Sequence, residues 1–304
     1  MKVTEHMASL TIFSAPKPFT DPHIATIQRN AIRSWINLGE DVDVILIGEE
    51  AGLAETAAEI GVRHLPDVKR NEFGTPLVSS IFRLAIQSSK SPVLAYLNAD
   101  ILVMPDFVTI ARQVAEQVDH FLVVGQRWDL DVRNEMDFGP GWPERLRDEV
   151  LRAGSRHPPA GSDYFIFPRD GFAEMPDFAI GRAGWDNWTI YHACTSSWAV
   201  IDATHSLMVV HQNHDYSHLP GGRPHYDLEE SHQNAAIGGG LPKMYTVLET
   251  NKTLVNGQIL PARMSALRLL RQIELRLMDG QTVGARWSLA RKVRRLRRRL
   301  TGSL

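Results

Sequence analysis

Val93-Leu94-Ala95-Tyr96-Leu97-Asn98-Ala99-Asp100-Ile101-Leu102-Val103-Met104 is the stretch that decides the fold. The apolar run Val93 to Leu97 has the length of a strand, and its lack of polar alternation fits a strand covered on both faces. Such strands belong to mostly parallel sheets, where ligands gather at the carboxyl ends. Asp100 stands at that end. A carboxylate between two apolar segments is costly to bury unless it is paired or bound to a cation. Taken alone, it reads equally well as a turn former or helix cap.

Outward from this strand, apolar runs alternate with helical segments. Upstream lie strand Leu10 to Ser14, helix Pro22 to Leu38 with Asp21 as N-cap, strand Val42 to Ile47, helix Ala51 to Ile60, strand Val62 to Leu65 and a helix from Pro76 to Ser88. Downstream come helix Phe107 to Val118 and strand Phe121 to Gly125. From Arg127 the alternation stops. Trp128 to Pro143 sets Asp129, Asp131, Glu135 and Asp137 among Gly, Pro and Trp, and reads as a surface lid or loop. Further strands are expected at Tyr164 to Phe167 and Leu207 to Val210, with a helix near Trp185 to Ala193. Gln212 to Pro242 is irregular and rich in His, Gly and Pro, and helices Ser265 to Met278 and Trp287 to Leu300 close the chain. The pattern predicts an α/β domain over 1–260, a mostly parallel central sheet flanked by helices, and a C-terminal helical extension over 261–304.

With 43% apolar and 22% charged residues in 304, the chain has the composition of a soluble globular protein, not of a disordered or collagenous one. Its single cysteine, Cys194, excludes an intramolecular disulfide and a cysteine-rich metal site, and suits a reducing compartment. The first residues lack the apolar stretch of a signal peptide, and no uncharged apolar run reaches the roughly 18 residues of a membrane span. The expected location is the cytoplasm, free or peripheral on the inner face of a membrane.

The net charge of −2 is a cancellation: residues 286–299 hold eight bases and no acid, leaving 25 bases against 35 acids elsewhere. An acidic body excludes nucleic acid as the partner. In the tail, Trp287, Leu289, Val293, Leu296 and Leu300 form one helical stripe amid arginines, which suits an anionic membrane surface through 286–300. The other reading is a basic helix packed on the acidic body or on a partner subunit.

The strand leading into Asn98-Ala99-Asp100 resembles the DxD motif of GT-A glycosyltransferases, Rossmann-like α/β enzymes in which an acid holds Mn2+ or Mg2+ against the diphosphate of a nucleotide-sugar. Asn98 replaces the first acid, so the resemblance implies Asp100 as the metal ligand and leaves Asn98 to hydrogen bonding, for example with ribose. It extends from about Ser9 to His218. Leu10 to Pro16 looks like the nucleotide-binding start of that fold, which implies donor contacts from Ser14, Ala15 and Pro16. Asn71 and Thr75 fall where the base pocket would lie.

Gly181-Arg182-Ala183-Gly184-Trp185-Asp186-Asn187-Trp188 resembles the Gly-Trp-Gly-Gly-Glu-Asp segment of inverting members, with Trp185 standing where the Glu would be. The resemblance implies that Asp186 deprotonates the acceptor hydroxyl. On its own chemistry Asp186 is also a good helix N-cap, and Trp185 and Trp188 are either core residues or a platform for a sugar ring. Asp163, before strand Tyr164 to Phe167, reads as a sugar contact or a turn residue.

Six of the twelve histidines fall between His205 and His232. His211, with His214 second, fits the place where a C-terminal histidine completes the metal shell in GT-A enzymes. A self-contained zinc or hydrolase site with Asp215 is an alternative, as is a polar loop whose histidines bond to backbone. The activity implied is metal-dependent transfer of a sugar from a nucleotide-sugar to a glycan or lipid-linked acceptor. The alternatives are a nucleotidyltransferase that makes a nucleotide-sugar, although Ala15-Pro16-Lys17-Pro18 lacks a Gly-rich loop, and a silent sugar- or nucleotide-binding module.

Overall fold

A computed structural model describes residues 8–160, 162–214, 227–278 and 283–301. In chain order the first half runs β1 (Leu10–Ser14), α1 (Pro22–Ile36), β2 (Val42–Ile47), α2 (Leu53–Ile60), β3 (Arg63–Leu65), α3 (Val78–Ser88), β4 (Val93–Leu97), β5 (Ile101–Leu102), α4 (Asp106–Ala115) and β6 (Phe121–Val124). The second half adds β7 (Trp128–Leu130), α5 (Trp142–Ala153), β8 (Ser155–Arg156), β9 (Tyr164–Pro168), α6 (Trp185–Thr195), β10 (Ala199–Asp202), β11 (Val210–Gln212), α7 (Glu229–Ile237), the hairpin β12 (Lys252–Val255) and β13 (Gln258–Pro261), then α8 (Ala266–Met278) and α9 (Gly284–Leu300).

The main sheet has the order β13-β12-β10-β6-β9-β4-β1-β2-β3. Only β9, between β4 and β6, and the edge strand β13 run antiparallel to their neighbours. The α/β class with a mostly parallel sheet and a C-terminal helical region is therefore what the sequence led us to expect. Alternate side chains of β4 serve opposite layers. Val93, Ala95 and Leu97 pack with Ile32 and Trp35 of α1 and Phe107 of α4. Leu94 and Tyr96 pack with Phe82 of α3 and Trp185 of α6. The N-terminus of α1 is capped as expected, Asp21 Oδ1 accepting the Ile24 amide at 2.9 Å.

Three expectations are corrected. Trp128 to Pro143 is not a simple loop: it contributes β7 and the first turn of α5, whose Trp142, Leu146 and Val150 form a third apolar cluster with Leu102 and Val210. The strand expected at Leu207 to Val210 lies at Val210–Gln212, two to three residues later, which moves His211 from the strand's end to its middle. The stretch from Gln212 to Pro242 is not wholly irregular, since its described part contains α7. In addition, β10, β12 and β13 extend the sheet beyond the strands read from sequence.

A second, four-stranded sheet, β5-β11-β7-β8, positions the site. Its register sets His211 opposite Ile101 on one side and Asp129 on the other. Asp100, next to Ile101, thereby meets His211. No helix among the described residues is long and apolar enough to cross a membrane.

Candidate active site

Asp100 ends the turn that leaves β4 and is 6% exposed. His214 Nε2 lies 3.1 Å and Lys17 Nζ 3.5 Å from its Oδ2, with His211 Nε2 at 4.0 Å. Oδ1 is buried and accepts no hydrogen bond among the described residues. Burial alone would push this carboxyl upward, but Lys17, the hydrogen bond with His214 and the charge of His211 prevail and hold it well below the usual carboxylate range.

Ligand atoms of Asp100, His211 and His214 lie within 4.8 Å of one another. The bare Oδ1 and two adjacent imidazoles fit a divalent ion, and two nitrogen donors suit a transition ion such as Mn2+ better than Mg2+, which prefers oxygen. The ammonium of Lys17 also contacts His214 Nε2, at 3.1 Å, so a cation already sits where the carboxylate calls for one. The self-contained alternative with Asp215 involves a residue outside those described.

Around this group runs a continuous polar network. His157 Nδ1 is 2.8 Å from Asp129 Oδ2, whereas the buried His211 Nδ1 faces Asp129 Oδ1 at 3.3 Å without hydrogen-bond geometry. Arg127 bridges Asp129, at 2.9 Å, to Asp163, at 2.6 Å. Asp163 in turn accepts from Asn98 Nδ2 at 2.9 Å, and Asn98 Oδ1 accepts from the Tyr96 hydroxyl at 3.0 Å. Antiparallel pairing of Leu97 with Tyr164 is what brings Asn98 beside Asp163. Asp163 is thus an ion-paired member of the site region.

Asp186 occupies the first turn of α6, after Gly184 at φ +110°, a conformation that a side chain would strain. Its carboxyl is pushed up to about 6, by burial first and by the Asp163 charge, while backbone amides at the helix start pull the other way. Tyr96 lies within the fields of Asp100, Asp163 and Asp186, which together with burial raise its phenol well above its usual value. The three acids therefore border one region at the carboxyl end of β4.

Other candidates fall elsewhere. Ser14 is fully buried and donates to the Leu97 carbonyl at 2.6 Å, clamping β1 to β4 and leaving no hydroxyl for a nucleotide. Ala15 is half-buried and Pro16 buried in the turn that follows. The next residue, Lys17, is pinned to α1 by a pair of hydrogen bonds with the Gln28 amide, at 2.6 and 2.9 Å. Asn71 and Thr75 join a different cluster: Asn71 Nδ2 donates to Glu230 at 2.8 Å, and Arg182 reaches both Glu230 and Thr75.

Trp185 is not a sugar platform. It is 5% exposed and packs edge-on against Tyr96 with centroids 5.0 Å apart. Trp188 is half-buried, stacked on His192 at 4.9 Å and tilted on Phe178, so its faces are occupied too.

Sequence reasoning missed Lys17, Arg127, Asp129 and His157. The available signal was alternation: Arg127 and Asp129 flank Trp128 with the period of a strand, directly after an apolar strand.

No protein-family model and no curated protein matches the chain. Among solved structures it is similar to glucosyl-3-phosphoglycerate synthase from Mycobacterium tuberculosis in complex with Mn2+, uridine diphosphate and phosphoglyceric acid. That match has 15% identity, covers 77% of this chain and 80% of that one, and has a TM-score of 0.47. It is also similar to a mannosyltransferase from Pyrobaculum calidifontis in complex with GDP-Man and Mn2+, with 11% identity, 67% of this chain and a TM-score of 0.42. The match spans 56% of that mannosyltransferase.

Proposed function

We propose that the chain is a divalent-metal-dependent glycosyltransferase that takes a nucleotide-diphospho-sugar as donor and passes the sugar, with inversion, to a hydroxyl of a glycan or lipid-linked acceptor. The observation that carries this reading is a pair of carboxylates of opposite character in the region around Tyr96. Asp100 is held ionised with a bare oxygen beside two imidazoles, and the Asp186 carboxyl, in the first turn of α6, is pushed up to about 6 by burial. One is suited to a cation and the other to a proton.

Asp100, His211 and His214 would hold the ion, preferably Mn2+. When bound, it would neutralise the charge that develops on the leaving nucleoside diphosphate. Lys17 adds a positive charge at the same place, and Asn98, fixed between Tyr96 and Asp163, lines it. Asp186, ionised above a pH of about 6, accepts the proton of the attacking hydroxyl. The segment Ala15-Pro16-Lys17-Pro18 has no glycine, which disfavours a nucleotidyltransferase, and the raised pKa of Asp186 disfavours a silent module.

We place the enzyme on the cytoplasmic side of an anionic membrane. Leu289, Leu296 and Leu300 of α9 are exposed, and so are Arg291, Lys292, Arg295, Arg298 and Arg299 around them. The test of the catalytic reading is a thermal-shift panel of nucleoside diphosphates with and without Mn2+. A Mn2+-dependent rise with one nucleotide, lost in Asp100→Ala, supports it. No rise with any nucleotide overturns it.

A further inference from the structure

A cavity of about 180 Å³ lies where the helical pair meets the catalytic domain. One wall is Pro158 to Ala160 together with Asn187. The cavity lining also includes Arg294, Arg297 and Arg298 of α9 and Arg271 and Glu274 of α8.

Three observations define what it accepts. The first is charge. Four arginines, Arg271, Arg294, Arg297 and Arg298, line it beside one acid, Glu274, and Arg271 also pairs with Glu249 outside the lining, so positive charge is in excess. The second is preorganisation. Glu274 is fully buried and takes Arg271 at 2.9 Å, Arg294 at 2.7 Å and Arg297 at 3.0 Å, which fixes these side chains before any ligand arrives. Arg298 is exposed and has no ion-pair partner among the described residues. The third is address. Asn187 directly follows Asp186 and donates to the Ala160 carbonyl at 3.1 Å, while Pro158 directly follows His157 of the Asp129 network. The cavity lining is thus one residue along the chain from the proposed base and from the Asp129 network.

We infer that this cavity is the subsite for a phosphoryl group carried by the acceptor, with Arg298 and Arg294 as its contacts and Arg297 fixed behind them. Planar guanidinium groups held at a cavity wall are the donors best matched to phosphate oxygens. The word acceptor rests on the glycosyltransferase reading, but the anion site itself does not. The basic helix thus gains a role in substrate recognition in addition to any contact with a membrane.

The direct probe is inorganic phosphate, titrated calorimetrically into the full chain without divalent metal. Arg298→Gln leaves the Glu274 cluster whole and is expected to weaken binding about tenfold, the loss of one charge-assisted contact. Arg294→Gln, checked for folding by circular dichroism, is expected to do the same, and Asp100→Ala to change nothing. Unchanged affinity in both arginine variants, or loss of binding in Asp100→Ala, overturns the proposal. Phosphatidylglycerol vesicles form the second arm: if Arg298→Gln weakens vesicle binding while its phosphate affinity stays that of the unaltered chain, the arginine belongs to a lipid surface and the subsite is wrong. The two readings fail separately. Phosphate binding that follows the arginines, in a chain that no nucleotide with Mn2+ stabilises, retains the anion site and removes the glycosyltransferase.

Discussion

Asp100 and Glu274 are both buried carboxylates surrounded by cations, and they differ in what is left over. Glu274, on α8, has both oxygens taken: Oε1 accepts from Arg271 and Arg294, and Oε2 from Arg297. Asp100, at the end of β4, has Oδ2 shared between Lys17 and His214 and nothing on Oδ1 among the described residues. A carboxylate with both oxygens answered within the chain fixes a helix pair. A cluster with one buried acceptor open leaves a place for a ligand. The same chemistry thus serves architecture at one carboxylate and, on our reading, catalysis at the other.

The comparison breaks most visibly at Asp100. Asp100→Ala is expected to abolish transfer and the Mn2+-dependent rise in Tm, and to lower the metal-free Tm by less than Glu274→Gln does, since Lys17 and His214 lose a partner but Oδ1 had none among the described residues. A large fall in metal-free Tm would make Asp100 a second Glu274.

Asp186→Asn comes next, with transfer lowered by about 10²- to 10⁴-fold, the usual contribution of a general base. Activity of the unaltered chain should rise with pH through about 6 and the variant's residual activity should not. Tyr96 shares this region but is held too high to titrate here. Stability runs the opposite way. A carboxyl raised on folding contributes to stability below the unfolded value of 3.8, and that contribution is lost as pH rises through about 6. Asp186→Asn should therefore gain Tm relative to the unaltered chain between pH 4 and pH 7. A parallel pH profile for both proteins would remove Asp186 from the proton transfer.

Glu274→Gln sharpens the other side. Three arginines would face a neutral amide, and the expected cost is about 3–5 kcal/mol of stability, read from denaturant unfolding. The same reasoning ties α9 to α8. Removing residues from Trp287 onward would strip Arg294 and Arg297 from a fully buried Glu274, so truncation would damage the fold as well as any membrane contact. Unchanged unfolding in Glu274→Gln would make the cluster ornamental and free the tail again.

What was legible in the sequence follows the same divide. β4 and Asp100 stood out because an apolar run of five residues ends in an acid, a local pattern. Asp186 stood out because glycines precede an acid at a helix start. The second sheet did not, since its strands are two or three residues long and three of the four carry polar residues, Asp129, Ser155, Arg156, His211 and Gln212, where β4 carries apolar ones. Nor did the arginine cavity. The stripe of Leu289, Leu296 and Leu300 was visible as a helical face, but the face buried on α8 is built from Ala290 and Arg297, and an arginine is read as core only once its carboxylate is known. Trp185 was misplaced for a related reason: aromatic side chains look alike in sequence whether they meet a sugar or Tyr96.

Asp129 tests whether the open cluster is held by its surroundings as firmly as the closed one is by its own charges. It touches no proposed substrate and acts through His211, whose Nδ1 it faces across the β7–β11 register. Its own carboxyl is held well below the usual range: burial opposes this, but His157, His211 and Arg127 prevail. Asp129→Asn keeps the shape and removes the charge that orients the ring. The expected result is a loss of Mn2+ affinity of about 10- to 100-fold, as for other partners that orient a ligand. Turnover at saturating Mn2+ should recover, and Asp129→Glu should restore part of the affinity. A fall in kcat with unchanged Mn2+ affinity would mean that Asp129 meets the reacting groups directly. His211 would then owe its position to backbone pairing alone.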